Sequence, residues 1–164
     1  MAQNIKELLN TLPQVGKVTW IGIRPQKRES LEVVESVEAR TESGLVGDHY
    51  HGKSGKRQVT LIQREHLDGM ASLLGMSEID PLLLRRNIVV KGINLLALKD
   101  KEFKVGEAVL ETTGLCHPCS RMEKNLGEGG YNAMRGHGGI TARVVESGRI
   151  KVGDEVKKMD DGES

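Results

Sequence analysis

The chain has 164 residues, with 24 Lys and Arg against 23 Asp and Glu and a net charge of +1, so no whole-molecule field draws it to nucleic acid or to an anionic membrane surface. Only four aromatic residues occur, Trp20, Tyr50, Phe103 and Tyr131, too few for the serial stacking platforms of single-strand binders. The length suits one domain whose core is built from Val, Ile and Leu. The N-terminal stretch lacks the basic start and apolar core of a secretory signal, and no apolar run approaches membrane-spanning length, so the expected location is the cytoplasm, without a membrane partner.

Ile5, Leu8, Leu9 and Leu12 recur at helical spacing behind Asn4, a candidate N-cap, and Pro13 ends the run, which predicts a short amphipathic helix acting as a lid on the core. Val15 to Ile23 is β-prone and stops at Arg24-Pro25, and Leu31 to Ala39 alternates as a second strand; together they predict a hairpin or adjacent barrel strands. The stretch from Ser43 to Arg57 holds four glycines, His49, His51 and three basic residues and reads as a loop too polar for the core. Val59 to Gln63 reads as a mostly buried strand. Leu67, Met70, Ala71 and Leu74 then share one helical face before Gly75 caps it.

Asp80-Pro81 opens another short helix, with proline in its first turn. Arg85-Arg86-Asn87-Ile88-Val89-Val90-Lys91 is a strand entered through two arginines and left through Gly92. Phe103 to Val109 and Ile150 to Val156 share a Lys-Val-Gly-acid pattern, read as one corner used twice. Many short strands, glycine turns and only two longer helical stretches favour a partly closed barrel over a parallel sheet. The expected organisation is a helical segment over 1–14, a barrel domain over 15–158 and a disordered tail over 159–164.

The chemistry concentrates between Glu111 and Asp154. Cys116-His117-Pro118-Cys119 sets both cysteines of the chain two residues apart, and in a reducing compartment that spacing suits a reactive or metal-binding pair better than a structural disulfide. Pro118 stiffens the backbone before Cys119, and nearby arginines favour the thiolate that acts as nucleophile and metal ligand. Two alternatives remain open on residues alone. The cysteines are small buried hydrophobes, or they bind zinc with His49, His51 or His137, although no second Cys or His pair has the usual spacing. Arg135-Gly136-His137-Gly138-Gly139-Ile140-Thr141-Ala142-Arg143 combines cations with glycine-freed backbone amides, as in an anion cradle; a glycine-rich turn with solvated arginines is the plain reading.

Gly44-Leu45-Val46-Gly47-Asp48-His49, Arg57 to Glu65, Arg85 to Val90, Cys116 to Cys119, Gly138 to Val144 and Gly148 to Asp154 stand in an order that resembles a MOSC domain, the C-terminal domain of molybdenum-cofactor sulfurases, from about Val15 to Val156. The resemblance implies a mainly β, MOSC-type barrel with a few short helices and the molybdenum cofactor (molybdopterin) as ligand. It makes Cys119 the molybdenum ligand or a persulfide carrier, with Cys116 as the second catalytic cysteine. It makes Arg57, Arg85, Arg86, Arg121, Arg135 and Arg143, with Asp48, His49, His137, Gly138 and Gly139, candidates for holding the cofactor. The implied activity is reduction of small N-hydroxylated compounds with a separate electron-transfer protein as donor. The alternatives are sulfur transfer from a pyridoxal-phosphate desulfurase partner, and a zinc-stabilised, non-catalytic module.

Overall fold

The computed structural model describes residues 4–26, 30–49 and 55–160. Helix α1 (Ile5–Asn10) leads to strand β1 (Gly16–Ile23), followed by β2 (Glu32–Val34), β3 (Ser36–Arg40), β4 (Gly44–Leu45) and β5 (Val59–Gln63). Helix α2 (Arg64–Leu74) and a 3-10 turn (Pro81–Leu84) cross to β6 (Ile88–Lys91), and a second 3-10 turn (Leu95–Leu98) leads to β7 (Glu102–Val105) and β8 (Ala108–Leu115). Helices α3 (Arg121–Leu126) and α4 (Gly130–Met134) precede β9 (Ile140–Glu146), β10 (Gly148–Lys151) and β11 (Glu155–Lys158).

Seven strands close into a barrel in the order β1, β11, β7, β8, β9, β5, β6. The expected mainly β barrel with few helices is therefore the architecture, and its seam is shut. Gly16 pairs with Val156 and Lys17 with Glu155, and the Val18 and Gly153 amides donate to the Asp154 and Val18 carbonyls at 2.9 and 2.7 Å. All barrel pairings are antiparallel except β5 with β6, which α2 connects, as a parallel pair requires a crossover. Burial on both faces follows. Leu61, Ile88 and Val90 point into the barrel core with Val18, Ile21, Phe103, Val105, Leu110 and Val156. Ile62 and Val89 point outward into a second core with Leu67, Met70, Leu84, Met122, Leu126 and Met134.

Several local expectations hold. Asn4 caps α1 by accepting from the Glu7 amide at 2.8 Å, Asp80 caps the first 3-10 turn, and Gly75 ends α2 in the left-handed conformation. The lid does not form: Ile5, Leu8 and Leu9 are 70%, 48% and 63% exposed, and of that face only Leu12 packs against the core. The strand read over 31–39 breaks at Glu35, whose carbonyl accepts from the Val152 amide, so β2 pairs with β1 while β3 joins β10 and β4 in a separate three-stranded sheet. Within the loop read as non-core, Gly44 and Leu45 are buried in β4; His51 lies outside the described residues.

The two Lys-Val-Gly stretches are not one corner repeated. The first is a tight β7–β8 hairpin, Val105 opposite Ala108, whereas β10 and β11 belong to different sheets. They meet instead: the Gly106 and Glu107 amides donate to the Glu155 and Arg149 carbonyls at 3.1 and 3.0 Å.

Candidate functional site

Antiparallel pairing of β1 with β6 sets Ile21 opposite Ile88, so Arg24, just past the end of β1, lies beside Arg85-Arg86-Asn87, just before β6 begins. Asn87 ties this corner together. Its Nδ2 donates to the Gly22 carbonyl at 3.1 Å and to Asp48 Oδ1 at 3.3 Å, and its Oδ1 accepts from the Thr60 amide at 3.0 Å. The loop carrying Asp48 docks on the same edge: Asp48 Oδ1 accepts from the Arg24 amide at 2.7 Å, and the His49 amide donates to the Arg24 carbonyl at 2.6 Å.

Arg24, Asp48, His49, Thr60, Arg85 and Asn87 line a cleft of about 270 Å³ that also receives Arg57, Arg86 and Cys119. Cys119 is exposed and Cys116 buried. Positive charge dominates. Burial lowers the Arg85 pKa below its ordinary value, the neighbouring charges of Arg24 and Arg121 lower it further, and Cys119 opposes them. Burial also lowers the Arg86 pKa, against the pull of Cys116 and Cys119. Asp48 is the one carboxylate among the described lining residues; burial raises its pKa, against its hydrogen bond from the Arg24 amide and the Arg24 charge. Arg24 Nε is buried without a hydrogen-bond partner among the described residues, a donor whose desolvation is costly until an acceptor reaches it.

The loop bearing the cysteines is held from behind. Arg86 donates from Nε to the Gly138 carbonyl at 2.8 Å, from Nη1 to Leu84 at 3.1 Å and from Nη2 to His117 at 3.2 Å. The Cys116 amide donates to the Gly139 carbonyl at 2.8 Å, and Cys116 Sγ accepts from Arg57 Nη2 at 3.8 Å. A Cβ on Gly138 would overlap the Cys116 carbonyl, and one on Gly139 would overlap the Leu61 carbonyl. These two glycines let three backbone segments pack closely, and their carbonyls rather than their amides make the contacts described. Beyond Cys119, whose carbonyl accepts from the Met122 amide at 2.9 Å, the chain enters α3.

The structure thus brings together Asp48, His49, Arg57, Arg85, Arg86 and Cys119. Arg121 begins α3, close enough for its charge to act on Arg85. Arg135 lines a neighbouring cleft of about 350 Å³ with Cys116, His117, Pro118, Tyr131, Gly138 and Gly139. His137 packs against His66 with ring centroids 4.9 Å apart. Arg143 sits on the outside of β9, paired with Glu111 at 2.6 Å across the β8–β9 ladder. Among the described residues no group of three His, Cys, Asp or Glu could hold a metal ion, so the zinc reading finds no complete ligand set there. Sequence reasoning missed Arg24 and Asn87. A basic residue closing a strand before proline, and an Asn between two arginines and the next strand, were the available signals.

The model of the MOSC domain family matches residues 47–157. This chain belongs to the MOSC family. Among solved structures, it is similar to the YuaD protein from Bacillus subtilis, with a TM-score of 0.75 at 20% identity over 89% of this chain and 97% of that one. YiiM from Geobacillus stearothermophilus gives 0.72 at 16% identity, over 90% of this chain and 76% of that one. YiiM from Escherichia coli gives 0.67 at 16% identity, over 90% and 72%. At these identities the likeness is one of fold. Comparison with curated proteins found no match. No helix among the described residues is long and apolar enough to cross a membrane.

The MOSC family is known for molybdenum-cofactor binding or sulfurase-like roles. The cleft of this MOSC domain suits such a ligand on its own terms: an exposed thiol is a soft metal donor, several guanidiniums suit a phosphate, and Arg24 Nε has no acceptor among the described residues.

Proposed function

We propose that this MOSC domain binds the molybdenum cofactor in the arginine-lined cleft, with Cys119 as the protein's molybdenum ligand and Arg24, Arg57 and Arg85 pairing with the pterin phosphate. The observation that carries this reading is the exposed Cys119 in a cleft lined, among the described residues, by four arginines, one with a buried donor that has no partner among those residues. When bound, the cofactor supplies two-electron redox chemistry; the family resemblance directs it to reductive N–O cleavage, with electrons from a separate protein. Cys119, exposed on the cleft wall, would hold the metal. Arg24, Arg57 and Arg85 neutralise the phosphate, while Arg86, committed to three carbonyls, holds the Cys116–Cys119 loop in place. Asp48 is a carboxyl with a raised pKa on the cleft wall, placed to hold or release a proton as the substrate nitrogen is reduced.

The test is elemental and pterin analysis of protein purified from cells that make the cofactor. The native chain should retain molybdenum and pterin together. Cys119→Ser, nearly isosteric but a poor soft ligand, should lose molybdenum, and Arg24→Ala should lose pterin. Native-like content in both variants refutes the assignment.

A second reading draws on the exposure of Cys119 beside a buried Cys116. The Cys119 thiolate would attack the outer sulfur of a persulfide carried on a partner desulfurase's cysteine, breaking that S–S bond and releasing the partner's cysteine as thiolate, so that Cys119 holds a persulfide beside the surrounding guanidiniums. Mass spectrometry showing one added sulfur on Cys119, and no molybdenum, would select it.

A further inference from the structure

Away from the arginine cleft, the imidazoles of His66 and His137 meet at a separate cavity of about 400 Å³, lined also by Gln63, Asn94, Leu96 and Leu115. His66 lies in the first turn of α2, and His137 in the turn before β9, its amide donating to the Met134 carbonyl at 2.8 Å. The rings are tilted by 57° with centroids 4.9 Å apart. His137 Nδ1 is buried without a hydrogen-bond partner among the described residues. In either tautomer that atom has an unmet donor or acceptor, which simple packing of two rings leaves unexplained.

We propose that His66 and His137 form a two-imidazole site for a divalent transition-metal ion, with its other coordination positions open to the cavity. The spacing fits. With metal–nitrogen bonds of about 2.0–2.1 Å, and ring centroids about 1.2 Å beyond the nitrogens, centroids 4.9 Å apart subtend about 100° at a shared ion, close to tetrahedral. The neighbouring Glu65 is turned to the Gly92 amide at 2.9 Å. The amide oxygens of Gln63 and Asn94 accept from the Leu95 and Leu96 amides at 3.0 and 3.2 Å, so the protein supplies two ligands and leaves the rest to an exogenous molecule. Leu96 and Leu115, both about half-exposed, line the same cavity and suit a small ligand with an apolar body. Imidazole donors favour copper(II), nickel(II) or zinc, with copper tightest. The site shares no residue with the Cys119 cleft.

Untagged full-length protein, stripped with a chelator, should bind copper(II) with an electron paramagnetic resonance signal split by two imidazole nitrogens. His66→Ala and His137→Ala should each weaken that binding at least about tenfold and abolish the two-nitrogen pattern, while Arg143→Ala, at a residue paired with Glu111 on the outer face of β9, keeps it. Native-like two-nitrogen binding by either histidine variant, its loss in Arg143→Ala, or no two-nitrogen signal from the native chain overturns the proposal. His66 is a half-buried position on a helix surface, so His66→Ala decides the matter alone if His137→Ala does not fold.

Discussion

The Arg24 amide donates to Asp48 Oδ1 at 2.7 Å, while the same residue's Nε is buried without a partner among the described residues. Backbone and carboxylate fix where Arg24 stands, and its side chain keeps donor capacity for a ligand. Inorganic phosphate should therefore raise the melting temperature of the native chain. Each charge-assisted bond contributes about 1.5–3 kcal/mol when shielded, and less at the cleft's open side, so Arg24→Ala and Arg85→Ala should each weaken phosphate binding about tenfold or more. Arg143→Ala serves as the contrast, because its guanidinium is already engaged by Glu111. An equal loss for Arg143→Ala would relocate the anion site to the outer face of β9.

Asp48 gives a pH prediction. Burial raises its folded-state pKa above the ordinary value of 3.8, so the folded chain holds this proton more tightly than the unfolded chain. The resulting stability is complete below the ordinary carboxylate range and is lost as pH rises through the raised folded value. Asp48→Asn keeps an oxygen to accept from the Arg24 amide and removes the titration. Denaturant unfolding, followed upward from about the ordinary carboxylate pKa, should show a fall in stability for the native chain that is reduced in the variant; parallel profiles would mean that Asp48 titrates normally.

Arg86→Ala should destabilise the fold by about 3 kcal/mol, because it strands three carbonyls whose donor is a buried charged group. Arg86→Lys should recover only part of this, since one ammonium cannot reproduce a fork aimed at Gly138, Leu84 and His117. Urea midpoints check both. A loss below about 1 kcal/mol for Arg86→Ala would show that the carbonyls find other donors.

Gly139→Ala and Gly75→Ala separate two costs that glycine avoids. Gly75 has φ +69° with nothing within 4 Å of the place a methyl would take, so alanine there meets only the left-handed penalty of about 1–2 kcal/mol. Gly139 has φ +89° and, in addition, would drive a methyl into the Leu61 carbonyl. Its alanine variant should lose at least about 3 kcal/mol or fail to fold; thermal unfolding of the pair shows whether the difference exists.

The barrel was legible where the chain states its period: Val59 to Gln63, the α2 face and the capped turns all obey local rules. The site was legible in part, because Asp48, Arg57, Arg85, Arg86 and Cys119 each sit at a strand end or stiff turn. The sorting of the remaining candidates was not. Arg143 and Arg57 look alike in sequence, yet the β8–β9 register places Arg143 opposite Glu111, and register is a pairing between distant strands. Helices α3 and α4 were hidden because they are short, begin without a side-chain cap, and form by packing Met122, Leu126 and Met134 into the second core. The apolar residues of α1 misled in the opposite sense: amphipathic spacing marks a face but does not say what covers it.

The barrel's seam joins its first strand to its last. During synthesis β1 leaves the ribosome early and stays without one neighbour until Val156 and Glu155 emerge to pair with Gly16 and Lys17, a closure across nearly the whole chain whose entropy cost is met late. The waiting edge of β1 is a template for stray strands, so nascent and truncated forms ending before β11 should depend on chaperones in a way the finished chain does not.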